Sequence, residues 1–169
     1  IQAKHNITFS AENTIFKEVI AAFWKDFNNP NFNKTHDRLI IAKSRLNNIE
    51  RNHIKTLLNY SKTHNSEKDF LSEVTRIQTK KEKLDIFREA LHAANESSPV
   101  SDLDLWQFCK VVDILGYDFL NEGSVDETYF LNLIKLAKNP AASISEKDIW
   151  NEVIALIAKS NPSGASFKS

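Results

Sequence analysis

THDRLIIAKSRLNNIERNHIKTLLNYSK, residues 35–62, and EKDFLSEVTRIQTKKEKLDIFREALHAA, residues 67–94, are the stretches whose reading decides the fold. In the first, Leu39, Ala42, Leu46, Ile49, His53 and Leu57 alternate by three and four. In the second, Phe70, Val74, Ile77, Leu84, Phe87 and Leu91 make a similar stripe. Such spacing lines one face of an α-helix with apolar groups. It predicts two helices of roughly 40 Å each, at about 1.5 Å per residue. The polar link Thr63 to Ser66 should turn the chain back into an antiparallel helical hairpin.

Upstream, Phe16, Val19, Ile20, Phe23 and Phe27 build a stripe on a first helix, from about Ser10 to Asn28. Asn29-Pro30 stops it, because a residue before proline avoids the α region. Downstream, three shorter helices are expected: Asp102 to Leu115, Val125 to Lys138, and Glu146 to Lys159. Gly116, Asn139-Pro140 and Asn161-Pro162 supply their stops. Ser66-x-x-Asp69, Ser101-x-x-Asp104, Ser124-x-x-Glu127 and Ser143-x-x-Glu146 follow the capping-box pattern or its Asp variant. Ser101, Ser124 and Ser145 are spaced by one short helix and one loop each time. The expected fold class is all-α: the hairpin plus shorter stacked helices, an irregular helical bundle or an α-solenoid segment. One domain is expected over residues 1–160, with 161–169 a disordered tail.

Composition bounds the function. The 169 residues include 22 basic and 22 acidic side chains, and the net charge is zero. That balance argues against a dedicated nucleic-acid binder. The charge is uneven: residues 1–84 carry +6 and residues 85–169 carry −6. A polarity of this kind can orient a partner. The single cysteine, Cys109, excludes an internal disulfide and points to a reducing, intracellular setting in cytoplasm or nucleus. It lies in the apolar run LWQFCKVV, so a buried, inert thiol is expected. No apolar run is long enough for a membrane span. No hydrophobic leader segment is seen, and the chain contains no methionine, which suggests a fragment of something longer.

No catalytic motif stands out. With three glycines, there is no P-loop and no dinucleotide fingerprint. Glu-x-x-His occurs twice, at Glu50/His53 and Glu89/His92, a unit that di-iron bundles use in pairs. Hairpin arithmetic separates the two units by roughly 24 Å, too far for one centre. The same arithmetic brings His36, Asp37, Glu89 and His92 to one hairpin end, a donor set suited to zinc or iron. His53 is expected as a hydrogen-bonded core histidine. Trp24, Trp106 and Trp150 sit beside their stripes, where an outward-facing aromatic would anchor a partner and an inward-facing one would fill the core. Lys80, Lys81 and Lys83 form a basic run that suits an acidic partner or a solvated, salt-bridged face.

Four segments carry a family likeness: DRLIIAKSRLNNIE, FLSEVTRIQTKKEKLDIFREAL, YFLNLIKLAKNP and DIWNEVIALIAKS. Their order resembles the C-terminal α-helical region of large scaffold nucleoporins. There a short Lys/Ala-bearing helix precedes a long charged one, and shorter solenoid helices follow. The likeness spans about 120 residues and carries no diagnostic motif. It implies a non-enzymatic nuclear-pore scaffold segment that binds neighbouring subunits, and it assigns no functional residue.

The function expected from these observations is protein–protein interaction or scaffolding within a larger assembly, without cofactor or small-molecule substrate. One alternative is a metal-binding helical-bundle enzyme or sensor using His36, Asp37, Glu89 and His92. Another is a secreted bacterial effector domain that binds a host protein.

Overall fold

A computed structural model describes residues 2–3, 7–43, 46–117 and 123–160. The chain is mostly helical, as its periodicity predicts. The tail expected to be disordered, 161–169, lies outside the described residues.

Chain order is β1 (Gln2–Ala3), α1 (Thr14–Phe27), β2 (Leu39–Lys43), then a π-helical turn (Glu50–Ile54) running into α2 (Lys55–Thr63). There follow α3 (Glu67–Thr75), α4 (Gln78–Ala94), α5 (Asp102–Val111), β3 (Val112–Gly116), α6 (Val125–Ala137) and α7 (Glu146–Ser160).

The strands correct two helical expectations. Residues 39–43, read as the start of a long helix, form the central strand of a parallel sheet of order β1-β2-β3. Residues 112–116, read as the end of the fourth helix, form β3. The register pairs Leu39 with Val112, Ile41 with Ile114 and Lys43 with Gly116. Both runs, LIIAK and VDILG, are short and rich in branched apolar residues, as suits a strand of a buried parallel sheet. Leu39, Ile41, Val112 and Ile114 enter the core, while Ile40, Ala42, Asp113 and Leu115 are part-covered on the other face. A helix over the same residues would spread Leu39, Ile40 and Ile41 around its circumference and bury fewer of them.

The long hairpin is accordingly shorter than expected. Its turn is where the polar link places it, between Thr63 and Glu67. The second arm breaks at Arg76-Ile77, where Ile77 is extended (φ −119°, ψ 112°) and caps α4. The break lets α3 pack against α2 and α5 while α4 packs against α1. Phe70 and Val74 reach the core on α3, and Leu84, Phe87 and Leu91 reach it on α4. Ile77, a stripe member by spacing, is left exposed.

The α1 stripe is buried as expected, with Phe16, Val19, Ile20, Phe23 and Phe27 all inside. Phe16 meets Phe87 of α4 edge-on at 5.6 Å, and Phe27 meets Phe108 of α5 at 5.6 Å. Burying each such ring contributes about 2–3 kcal/mol. One cluster of buried residues runs from Ile7 to Ile114 and gathers β2, β3 and α1–α5.

Serine caps start α3, α5, α6 and α7, with one change from the expected set. Ser66, Ser101 and Ser124 accept the N–H of Asp69, Asp104 and Glu127. At α7 the cap is Ser145, accepting from Asp148, in place of the expected Ser143-x-x-Glu146 box. In three of the four, the short Asp carboxylate accepts the serine hydroxyl instead of a backbone N–H.

Candidate functional site

α6 is the element whose sequence and surroundings disagree most. Its apolar residues fall on two opposite faces. Phe130, Leu131 and Ile134 are part-covered on one side, where Phe130 stacks on Trp150 of α7 with ring centroids 5.5 Å apart. On the far side, Val125, Tyr129, Leu133 and Leu136 form one stripe, exposed by 86%, 59%, 41% and 84%. The spacing of four, four and three places them within about 80° of arc on the helix. Leu156 and Val153 of α7 and Ile144 between the helices are exposed as well. A helix apolar on both faces is expected to have cover on both. Contiguous exposed apolar surface of this kind marks a contact site.

Polar bonds tie α6 to α7 beside the Phe130–Trp150 stack. Glu127 is buried in the first turn of α6, where it accepts the Gly123 N–H at 2.5 Å and pairs with Lys147 of α7. The hydrogen bond from Lys147, then that from Gly123, holds the Glu127 carboxyl below its ordinary range. Lys138 at the end of α6 pairs with Glu146 at 3.0 Å and donates to the Ile144 carbonyl. Glu146 is also lowered, first by its own backbone N–H and then by Lys138. Tyr117, just after β3, meets the Phe130 ring at 6.3 Å and ties the pair to the sheet end.

A second buried polar group lies at the carboxyl end of β2. The Lys43 ammonium donates to Glu50 Oε1 at 2.6 Å and to the Ile7 carbonyl at 3.1 Å. Glu50 also accepts the Asn47 N–H, and Asn47 Oδ1 accepts the Glu50 N–H. This reciprocal box closes the start of the helical run that holds the π turn. A carboxylate already occupies that helix end, so the place is structural. Of the Glu50/His53 pair, Glu50 is buried in this group and His53 is half-buried.

The residues singled out by sequence distribute as follows. Trp24, Trp106 and Trp150 are buried, which corrects any reading of them as outward anchors. Trp24 stacks on Phe27 at 5.3 Å, and its indole N–H donates to Asn95. The Trp106 indole donates to the Ser61 carbonyl at 2.9 Å. Lys80 donates to the Tyr60 hydroxyl and lies over that ring, Lys81 is exposed, and Lys83 is half-buried. His36 and Asp37 lie in exposed turns before β2, where Asp37 accepts the Asn33 N–H. Glu89 and His92 are exposed on α4, and His92 Nδ1 lies 3.1 Å from the Ser98 carbonyl. The strand at 39–43 removes the hairpin geometry that was to join these four. Among the described residues no group of three or more His, Cys, Asp or Glu is placed to hold a metal ion. Cys109 is buried, and burial pushes its thiol up to about 12.

The exposed α6 stripe was not singled out by sequence reasoning. Its signal was present: two apolar sets half a turn apart on one helix. Comparison with protein-family models, curated proteins and solved structures gives no match.

Proposed function

We propose that this chain is a non-enzymatic protein–protein interaction or scaffold domain of a larger intracellular assembly. The observation that carries the reading is the stripe Val125, Tyr129, Leu133 and Leu136, apolar and uncovered on the face of α6 opposite α7. Placing such a surface against a partner removes it from water, at about 25 cal/mol per Å² buried. No helix among the described residues is long and apolar enough to cross a membrane.

The more specific form, a nuclear-pore scaffold segment, draws on the likeness in helix order. β2 stands where that likeness needs a short helix, and the long charged helix breaks at Arg76-Ile77, so this form draws support from the two last segments alone.

The test is gel filtration of lysate from cells expressing the tagged chain, beside an L133E/L136E variant and a K83E control. The reading expects the parent chain and the control in a complex larger than the single chain, of whatever composition, and the double variant at its own size. A parent chain eluting at its own size would overturn it, as would a double variant that stays in the complex.

A further inference from the structure

We propose that the occupant of the α6 stripe is a second copy of this chain, the two α6 helices lying antiparallel across a two-fold axis. The proposal rests on the reading above that the stripe is a docking face, and it names the partner.

A two-fold contact needs a surface complementary to itself. The stripe has that property along the helix. Its spacing of four, four and three is symmetric about the centre to within one residue, about 1.5 Å along the helix. Laid antiparallel about a centre near residue 131, Val125 of one copy meets Leu136 of the other, and Tyr129 meets Leu133. Each large aromatic then faces an aliphatic group, and each end residue finds a cover. Asp126 and Lys135 lie on opposite flanks of the stripe. On each flank the like charges of the two copies stand about 14 Å apart, beyond the Debye length at physiological salt. No charged side chain sits within the stripe itself.

The area is adequate. The four side chains offer on the order of 400 Å² of apolar surface per copy. Two copies would bury on the order of 800 Å² of it. At about 60% apolar, the whole interface would cover roughly 1,300 Å², near the lower end for specific association. That size suits a reversible dimer with dissociation in the micromolar range.

The experiment is sedimentation equilibrium of the chain from about 1 to 200 µM, with V125E and L136E as single variants. Both sites are more than four-fifths exposed, so circular dichroism should show the fold unchanged. Weakening of the dimer by tenfold or more in each variant is expected. A cross-linking arm fixes direction. Under mild oxidation, V125C/L136C should give a covalent dimer, because each introduced thiol meets its mate across the axis. V125C alone should not, since the two copies of that site would lie about 17 Å apart along the helices. Cys109 is buried and stays out of the reaction.

A monomer throughout that range overturns the proposal, as does a dimer indifferent to V125E and L136E. Cross-linking by V125C alone overturns the antiparallel arrangement. If the chain is a monomer yet the L133E/L136E variant still falls out of the large complex, the stripe serves a different protein. Self-association then fails while the interaction reading stands.

Discussion

Lys43, the last residue of β2, places its ammonium 2.6 Å from Glu50 Oε1, and Glu50 is only 2% exposed. The pair joins the central strand to the first turn of the next helix. It also reaches the segment before α1, through the Ile7 carbonyl.

Breaking this pair from one side should be costly. A K43A variant leaves a carboxylate buried without its counter-charge, a loss of about 3–5 kcal/mol. E50A removes both the counter-charge and the acceptor for Asn47 N–H. K43M/E50L should restore much of the loss, because no charge then remains to be desolvated. Urea denaturation of the three variants checks the order, and a double variant no more stable than either single would contradict it.

The α7 cap separates two neighbouring serines. S145A should lower stability by about 1 kcal/mol, since it strips the acceptor from the Asp148 N–H. S143A, at the position the sequence pattern favoured, should be neutral. Amide exchange in the first turn of α7 reports the difference directly. Equal protection in both variants would refute the assignment.

Acid should loosen the α6–α7 pair. The Glu127 and Glu146 carboxyls are held below their ordinary range in the folded chain. A depressed carboxyl contributes stability that is present above the unfolded value and lost as pH falls through the folded one. The pair should therefore hold at about pH 5–7 and weaken below about pH 4, near the carboxylate range. Backbone NMR shifts of α6 and α7 followed on acidification give the measurement. E127Q should flatten most of the dependence; unchanged dependence in E127Q together with E146Q would rule the account out.

Cys109 should be silent toward thiol reagents while the chain is folded. Burial raises its thiol to about 12, so almost no thiolate forms at neutral pH. Reaction with a chromogenic disulfide should be absent in buffer and complete in urea. Prompt reaction of the native chain would show that the core at α5 opens freely.

Much of the helical content was legible because it depends on local rules. The Phe16–Phe27 stripe, the Ser66, Ser101 and Ser124 caps and the turn after Thr63 each lie within a few residues of their cause. The strands were not legible in that way. LIIA at 39–42 satisfies a helical stripe through Leu39 and Ala42, and VVDIL at 111–115 continues one from α5. Either run reads as buried helix when taken alone.

Periodicity and capping, on the sequence alone, determined where most helices begin, which faces are apolar, and that a polar link folds the chain back near residue 64. Only the tertiary structure decided that residues 39–43 and 112–116 are strands, because each is the other's hydrogen-bonding partner across some 70 positions. It alone decided that the three tryptophans face inward while Val125, Tyr129, Leu133 and Leu136 face out. Spacing shows that a helix has an apolar face, but what covers that face depends on neighbours distant in the chain. On α6 one face meets α7, and the other is left for a partner.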